Sequence, residues 1–272
     1  MEQLGLIAGS GVYPLLLARA ARARGARQVV AVAFENETSP DIAQAADHVE
    51  WVKVGQLGRL IGAFTQRGVT EAIMAGQVAP KNLFRDIRPD LRLVAMLARL
   101  KERNAETIFG AIATELKKDG VTLLPATTFM EDYLAPAGPI TKRRPSREQE
   151  EDIAFGLKIA KGVSAFDIGQ TVVVKNGTVL AVEALEGTDE CIRRGGALAG
   201  EQGGAVVVKV TKPDQDMRFD VPAIGTRTVE SCAAGRIAVL AVEAGATLLL
   251  EKETTLAAAD EAKLIICGAA TK

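Results

Sequence analysis

The sequence predicts an α/β protein with a Rossmann-like, parallel-sheet N-terminal domain and a distinct mixed α/β C-terminal domain. In the first ~130 residues, short apolar segments alternate with helical segments, which is typical of a parallel sheet with helices on its faces. Near residue 133 a segment rich in proline and basic residues interrupts this alternation, and β-branched runs are frequent after it. We therefore expect a nucleotide- or phosphate-binding domain over residues 1–132, a linker over 133–146 and a second α/β domain over 147–272.

The elements of the first domain follow from its apolar runs and its glycines. LGLIAG predicts a buried strand, and YPLLLARAARARG predicts a helix that ends at Gly25. Later apolar runs predict three more strands: QVVAVAF, VEWVKV and EAIMAGQV. Helical periodicity is found in QLGRLIGAFTQRG, LRLVAMLARL and AETIFGAIATELKKDG. A short strand, VTLLPA, completes the domain.

The second domain is predicted to begin with a helix, EDIAFGLKIAKGVSAFDIG. In QTVVVKNGTVLAVEA, two β-branched runs surround Asn176-Gly177, which is the strongest short signal for a β-hairpin. Further strands are predicted in AVVVKV, on both sides of Gly245 in IAVLAVEAGATLLLEKE, and in LIICGA. Helices are predicted in CIRRGGALAG, VESCAAG and TTLAAADEA.

The composition excludes several classes of function. The 33 basic and 34 acidic side chains nearly cancel, which argues against a general nucleic-acid-binding surface. The three cysteines lie far apart without CxxC spacing, so we expect a reduced cytoplasmic protein without a disulfide framework or a zinc site. A single histidine, His48, excludes a His-rich metal site, so a bound metal should be a hard ion with oxygen ligands. No apolar window is long enough to span a bilayer.

A glycine loop follows the first predicted strand in GLIAGSGVYP. Gly9, Ser10 and Gly11 lead into a helix whose free N–H groups and positive end favour an anion. Pro14 replaces the third glycine of a dinucleotide fingerprint, while Glu35 stands where a ribose-binding acid is expected. Phosphate or nucleotide binding, a redox dinucleotide, and a tight turn that simply requires glycine are all open at this point.

Carboxylates and a Gly-Thr turn lie close together in AVEALEGTDECIRRGG. A predicted strand delivers Glu183 and Glu186, and Gly187-Thr188-Asp189 then opens a predicted helix that carries two arginines. This combination suits phosphate binding or a site for a hard metal ion. The alternative is that Thr188 or Asp189 caps the helix while the arginines are solvated.

Polar residues also follow two other predicted strands. Gln77, in MAGQVAP, stands at the carboxyl end of a strand, where open α/β sheets bind ligands. In KVTKPDQDMRFDVPAIG, an apolar strand is followed by Lys212, Gln215, Arg218 and Asp220 in a loop that is stiffened by two prolines. The alternative for this loop is a set of surface ion pairs, each of which contributes little stability.

Four segments in this order resemble a known family: LGLIAGSGxxP, AGQV, DIGQTVVVKNGTVLAVEALEGTD and KPDQDMRFDVPAIG. They resemble the I-type UDP-2,3-diacylglucosamine pyrophosphatases (the LpxI family) of lipid A biosynthesis, and the resemblance covers essentially the whole chain. It implies a magnesium-dependent hydrolase, cytoplasmic and peripheral to the inner membrane. The implied reaction cleaves UDP-2,3-diacylglucosamine to UMP and 2,3-diacylglucosamine 1-phosphate (lipid X). Substrate is expected between the two domains, with the C-terminal domain catalytic.

The matching motif points to Asp220 as the main acid, and the chemistry of pyrophosphate hydrolysis suggests roles for the other residues. Asp220 of RFDVP is expected to bind Mg²⁺, with Asp189 or Glu186 holding the ion or the attacking water. Lys212 and Arg218 are expected to offset phosphate charge. The residues expected to bind substrate are Gly9, Ser10, Gly11, Gln77, Gly187, Thr188 and Gln215.

The flanking acids Asp214 and Asp216 are expected to face solvent. A two-chain lipid also needs an apolar slot, for which the candidates, equally open to a role in the core, are Phe84, Leu91, Val94, Met96 and Leu97. Basic residues that would touch an anionic membrane transiently, or else remain solvated, are Arg85, Arg88, Arg92, Arg99 and residues 142–144.

Two other classes of function remain as alternatives. A non-enzymatic nucleotide- or lipid-binding module would use the same glycine loop. An NAD(P)-linked oxidoreductase is opposed by Pro14 and by the lack of an evident proton relay. The sequence does not give the oligomeric state, for which a homodimer is the candidate.

Overall fold

The computed structural model describes residues 2–77, 89–102, 104–213 and 215–270, and it divides into two compact units. The first unit contains Met1–Glu131 together with Asp216–Asp220, and the second contains Asp132–Gln215 and Val221–Lys272. The segment Asp216–Asp220, although it is encoded between two strands of the second unit, therefore belongs to the first.

The first unit is built on a parallel sheet. Its strands are β1 (Gln3–Ala8), β2 (Gln28–Phe34), β3 (His48–Val52), β4 (Glu71–Ala75) and β5 (Thr122–Leu123), in the spatial order β3-β2-β1-β4-β5. Its described helices are α1 (Tyr13–Ala23), α2 (Leu57–Thr65), α3 (Leu91–Leu97) and α4 (Ala105–Lys118). The strand order reverses between β1 and β4, and the carboxyl ends of these strands are where open α/β sheets bind ligands. The predicted Rossmann-like fold is confirmed.

The core of the first unit explains why these segments fold as they do. After Gln28, every residue of β2 is buried, as expected for a strand covered on both faces. In α2 the buried side chains fall at helical spacing, from Leu57 through Leu60 and Ile61 to Phe64. Phe64 and Leu116 of α4 are fully buried in the same hydrophobic core.

The second unit is built on a mixed sheet. Its strands are β6 (Gly138–Pro139), β7 (Thr171–Lys175), β8 (Thr178–Val182), β9 (Val206–Lys209), β10 (Ala223–Ile224), β11 (Val239–Glu243), β12 (Leu248–Leu249) and β13 (Ile265–Ala269). Its helices are α5 (Arg147–Ser164), α6 (Thr188–Leu198), α7 (Thr226–Ala234) and α8 (Lys252–Glu261). The main sheet has the order β6-β13-β11-β9-β7-β8, with β9, β11 and β13 parallel and β7 antiparallel to both of its neighbours. The carboxyl ends of β8, β9 and β11 therefore lie at the same end of the sheet as the start of β7.

Two hydrophobic cores cover the two faces of this sheet. Alternation along β7 places Val172 and Val174 in the core that includes α5, and Val173 in the core that includes α6. Glycine allows the helices to approach closely. A Cβ on Gly156 of α5 would lie 2.6 Å from Val208 Cγ2, and one on Gly195 of α6 would lie 2.5 Å from Val173 Cβ.

The predicted hairpin joins β7 and β8. Asn176 and Gly177 both have positive φ, at 50° and 69°, as a tight hairpin turn requires. The buried Asp152 of α5 holds this turn, because its carboxylate accepts hydrogen bonds from the N–H groups of Asn176 (2.9 Å) and Gly177 (2.7 Å).

Two segments differ from the simple pattern expected from the sequence. The second strand around Gly245 is only two residues long, and it pairs with β10 in a separate two-stranded sheet because Gly245, with φ +71°, turns the chain away from β11. The segment expected as a linker is packed along part of its length. Ala135 is buried and donates its N–H to Thr247 O (2.9 Å), and β6 pairs antiparallel with β13.

Candidate functional site

The carboxyl ends of β1 and β4 bring together two of the predicted segments, Gly9-Ser10-Gly11 and Gly76-Gln77. Ser10 N–H donates to Gln77 O (2.8 Å), and Gln77 N–H donates to Ser10 O (3.3 Å). The Ser10 hydroxyl donates to the same Gln77 carbonyl oxygen (2.7 Å). The hydroxyl hydrogen of Ser10 is thus engaged in bracing the two strand ends, while the Gln77 side chain is exposed.

Packing explains two of the glycines at this point. A Cβ on Gly9 would lie 2.8 Å from Gln77 O, and one on Gly76 would lie 2.5 Å from Ser10 O, so the tight-turn alternative accounts for both. Gly11 differs, because its φ is +85° and, among the described residues, no atom lies within 4 Å of its Cβ position. It precedes α1, whose N-cap residue Val12 gives no side-chain hydrogen bond, so the first N–H groups of the helix remain suited to water or an anion.

The segment Asp216–Asp220 is anchored near the start of α1. Ala126, in the loop after β5, accepts a hydrogen bond from the Tyr13 hydroxyl, and its N–H donates to Met217 O (2.7 Å). Burial raises the pKa of Tyr13 above its ordinary value, so the phenol stays protonated as a donor. Because Ala126 follows β5, the segment lies toward the carboxyl end of the first sheet.

The aromatic residue of this segment joins the first core. Phe219 packs against the core of the first unit, and its ring centroid lies 5.5 Å from that of Phe109 in α4. Asp220 follows at the end of the segment and donates its N–H to Asp216 O (3.0 Å). The predicted catalytic acid is therefore carried by a segment that the first unit fixes.

Arg218 is oriented by Asp216, which corrects the expectation that Asp216 faces solvent. Asp216 accepts from Arg218 N–H (3.0 Å) and from Arg218 Nε (2.9 Å), and its second oxygen also meets Nη2. The Asp216 side chain can reach Arg218 because a tight turn brings these two residues, two positions apart, side by side. The hydrogen bonds from Arg218 hold the pKa of Asp216 below its ordinary value. These bonds use Nε and Nη2, so Arg218 is held with its Nη1 edge uninvolved in the pair. Asp214 lies outside the described residues.

In the second unit, two of the predicted metal ligands are paired with arginine. Glu186 accepts from Arg194 Nη2 (2.6 Å) and from Ala184 N–H (3.1 Å), and the bond from Arg194 lowers its pKa. Asp189 bonds Arg227 Nε (2.8 Å) and Ser231 Oγ (3.1 Å). Neither Thr188 nor Asp189 caps α6, because Gly187 is its N-cap and no side chain caps it.

A buried polar cluster that we did not predict as a unit surrounds Thr188. The Thr188 hydroxyl donates to Glu183 Oε1 (3.0 Å) and accepts from Lys209 Nζ (3.1 Å), and Thr171 Oγ1 lies 3.3 Å away. Glu183, Lys209 and Thr171 are all buried. The Thr188 hydroxyl hydrogen is therefore directed to Glu183, and the cluster fixes the beginning of α6 against the ends of β8 and β9.

A second buried cluster surrounds Thr211, two residues after the end of β9. Lys161 Nζ of α5 donates to Thr211 O (3.0 Å), to Thr211 Oγ1 (3.0 Å) and to Glu243 Oε2 (2.7 Å). The same oxygen of Glu243 accepts from Thr211 N–H (2.7 Å) and from Thr211 Oγ1 (2.6 Å). The sequence carried a signal for both glutamates, because the hexapeptide VLAVEA occurs at 179–184 and again at 239–244 and places a buried Glu directly after β8 and at the end of β11.

Lys212 and Gln215 form the start of the charged loop. Lys212 Nζ pairs with Asp167, and Lys212 N–H donates to Gln215 Oε1 (2.7 Å). The Gln215 Nε2 atom is buried and has no hydrogen-bond partner within the described residues. A buried amide donor left in this state costs about 1–3 kcal/mol, which a ligand acceptor would recover.

These residues do not fit a preformed magnesium site. Among residues 2–77, 89–102, 104–213 and 215–270, no group of three or more His, Cys, Asp or Glu side chains is arranged to hold a metal ion. Asp220 belongs to the first unit, and Glu186 and Asp189, in the second, each hold an arginine.

Of the other residues singled out in the sequence, some are paired or buried and others are exposed. Arg92 is paired with Glu115 and Asp119, and Met96 is buried while Leu91 and Val94 are exposed. His48 is exposed at the start of β3. The three cysteines are free and buried, and burial raises the pKa of Cys191 to about 12. Phe84, Arg85 and Arg88 lie outside the described residues.

Both sheets thus carry polar groups at their carboxyl ends, which defines a two-domain α/β protein of the ligand-binding or catalytic class. The family model of the LpxI N-terminal domain matches residues 3–133, and that of the LpxI C-terminal domain matches residues 136–267. A relative from Caulobacter vibrioides, named UDP-2,3-diacylglucosamine pyrophosphatase LpxI, is 33% identical over 278 residues, covering 98% of this chain and 98% of the relative. The chain belongs to the LpxI family, and the predicted resemblance is confirmed.

Similarity to solved structures is weak. The biotin carboxylase domain of a thermophilic 2-oxoglutarate carboxylase is 16% identical, with a TM-score of 0.28. The match covers 64% of this chain and 35% of that chain. The corresponding domain from Hydrogenobacter thermophilus is 13% identical, covers 74% of this chain and 42% of its own, and also has a TM-score of 0.28. Likeness at this level carries no argument about function. Among the described helices, none is both long and apolar enough to cross a membrane.

Proposed function

We propose that the chain hydrolyses the pyrophosphate of UDP-2,3-diacylglucosamine to UMP and 2,3-diacylglucosamine 1-phosphate. The observation that carries the proposal is the match to a pyrophosphatase of that name over 98% of both chains. The two LpxI domains are matched in order and cover nearly all of the sequence. The glycine loop of the first unit and the charged loop over residues 212–220, of which Asp216–Asp220 also belong to the first unit, both have a role in the proposal.

In the proposed reaction, water attacks the phosphorus on the sugar side. The new P–O bond forms as the bond to the bridging oxygen breaks, UMP leaves with that oxygen, and the water proton is released. Such a reaction needs charge neutralisation and positioning more than covalent catalysis. Arg218, which is already oriented by Asp216, is suited to meet phosphate oxygens through its remaining N–H groups.

Other groups supply binding and charge. We assign the loop Gly9-Ser10-Gly11 and Gln77 to the nucleoside or phosphate half, because the beginning of α1 favours negative charge. Lys212 contributes a second cation, and Gln215 contributes its buried amide donor. Gly187 and Thr188 remain assigned to substrate, with the backbone at the start of α6 rather than the Thr188 hydroxyl as the contact.

Mg²⁺ remains part of the proposal because the family resemblance implies it. No step is assigned to the ion, since the part of the chain that the structure describes holds no group of three His, Cys, Asp or Glu side chains arranged for a metal. Binding of substrate between the two domains and a homodimer also stay predictions.

The test is hydrolysis by the purified full chain. We expect UMP release from UDP-2,3-diacylglucosamine with Mg²⁺ and loss of release in EDTA. In water enriched in ¹⁸O, the label should enter the sugar 1-phosphate and not UMP. Saturable binding without product would favour the non-enzymatic module, and label in UMP would place the attack on the other phosphorus.

We also propose peripheral contact with the inner membrane, because the substrate carries two acyl chains and the Lys142 side chain is largely exposed beside Arg143 and Arg144. Sedimentation with anionic vesicles should decrease from low to high salt. Equal sedimentation at both salt concentrations, or none at all, would contradict this contact.

A further inference from the structure

Just before the charged loop, all the polar groups of Thr211 form hydrogen bonds. Thr211 directly precedes Lys212, and its N–H, carbonyl and hydroxyl groups are all bonded to Lys161 or Glu243 at 2.6–3.0 Å. Lys161 uses its three N–H donors for this purpose, two of them on Thr211 and one on Glu243. Thr211 and Glu243 are buried, so these charge-assisted bonds are poorly replaced by water.

The position of this network in the fold matters as much as its strength. Glu243 ends β11, Thr211 follows β9, and Lys161 lies near the end of α5, so three separate elements meet where the chain leaves the sheet. The backbone of the next residue, Lys212, forms two hydrogen bonds with Gln215. Lys212 N–H donates to Gln215 Oε1 (2.7 Å), and Gln215 N–H donates to Lys212 O (3.3 Å). The direction in which Lys212 and Gln215 leave the sheet is thus set through Thr211.

We infer that Lys161 and Glu243 are positioning residues, which act through Thr211 to hold Lys212 and Gln215 in their reactive placement. This inference rests on the proposed function for its effect on rate. Neither residue needs to touch substrate. Loss of either side chain should leave the fold intact but allow the loop to adopt several conformations at its start. The fraction of molecules in which Lys212 and Gln215 are correctly placed should then decrease.

The same helix offers a matched control. Asp152 is also buried on α5 and also accepts hydrogen bonds from backbone N–H groups of a turn. That turn is the β7–β8 hairpin, at the end of the sheet opposite to Thr211. Lys158 is an exposed lysine on the same helix. Asp152→Asn therefore tests for general loss of stability, and Lys158→Met tests for loss of charge on the helix.

The experiment compares Lys161→Met, Glu243→Gln and the milder Thr211→Val with these two controls in the full chain. We expect kcat to fall at least about tenfold in Lys161→Met with KM changed much less, and an intermediate loss in the other two variants. Asp152→Asn and Lys158→Met should keep wild-type kcat at a temperature where they are folded. Hydrogen exchange at Thr211 and Lys212 should speed up in Lys161→Met and stay unchanged in the controls.

Three results would overturn the inference. The first is faster exchange at Thr211 with unchanged kcat, and the second is an equal loss of kcat in Asp152→Asn. The third is unchanged exchange at Thr211 in Lys161→Met. The exchange measurement needs no turnover, so it decides whether the network holds the loop even if the wild-type chain releases no UMP. Should Lys161→Met fail to fold, Thr211→Val, which keeps the backbone bonds, provides the same comparison.

Discussion

Asp220 is the last residue of the segment Asp216–Asp220, which belongs to the first unit. It is the acid on which the proposed reaction most depends. We expect Asp220→Ala to fold and to bind substrate, but to lose roughly 10³-fold in kcat, as is typical when one group that stabilises developing charge is removed. The exposed Glu2 of the same unit gives a control, since Glu2→Gln removes an acid at the amino end of β1, whereas the glycine loop follows its carboxyl end. Near wild-type kcat in Asp220→Ala would remove this residue from the mechanism.

The pair formed by Asp216 and Arg218 gives a prediction about pH. Because Arg218 lowers the pKa of Asp216 in the folded state, the pair contributes stability above the ordinary carboxylate pKa and loses it as pH falls through the lowered value. The difference in loop protection between wild type and Asp216→Asn should therefore be full at neutral pH and decrease as pH falls below about 4. Hydrogen exchange at residues 217–220 between pH 3 and pH 7 would measure it, and a difference that grows as pH falls would contradict the assignment.

At the scale of single residues, the sequence located the loops but not the partners of their side chains. The positions of Lys212, Arg218 and Asp220 after β9 could be inferred from the apolar run that precedes them. Which side chain orients which depends on pairings between distant residues, such as Lys161 with Glu243, that separate elements bring together. Local spacing therefore predicted metal ligands in Glu186 and Asp189, which the fold pairs with arginines.

The helices and strands show where glycine is required and where it is only tolerated. On α6, Gly195→Ala should destabilise the second unit by about 1–3 kcal/mol, because the added methyl would overlap Val173. On α5, Gly162 meets no atom within 4 Å among the described residues, so Gly162→Ala should stabilise by up to about 1 kcal/mol. Thermal or denaturant unfolding of the two variants would compare them, and a shift in the same direction for both would refute the packing argument.

Most elements could be predicted because apolar periodicity and glycine placement are local properties. The hairpin at Asn176-Gly177 and the helix α6 are examples. The pairing of β12 with β10 could not be predicted, because it depends on how the chain turns at Gly245 and on the carbonyl of Pro222 that receives Leu248 N–H (2.8 Å). Long-range partners of this kind leave no periodic signal.

On the scale of the whole molecule, the first unit is completed by residues from the second half of the sequence. Phe219→Ala should lower the stability of the first unit by about 1–2 kcal/mol, since a partly buried ring leaves its core. Trp51, the single tryptophan of the chain, lies in β3 and reports the unfolding of this unit by fluorescence. Phe166→Ala is the matched control, because Phe166 is 79% exposed in the second unit. An unchanged Trp51 transition in Phe219→Ala would contradict the role of this segment.

The hydrogen bond from Ala126 to Met217 also bears on how the chain is made. It closes a loop of about 90 residues, so the first unit cannot acquire this contact until strands β6 to β9 of the second unit, which precede Met217, have been synthesised. A nascent chain that ends near residue 131 would collapse around its parallel sheet while lacking Phe219 from its core. The core of the first unit is therefore completed only after the chain has been extended well into the second unit, so synthesis of the first 131 residues alone does not complete it.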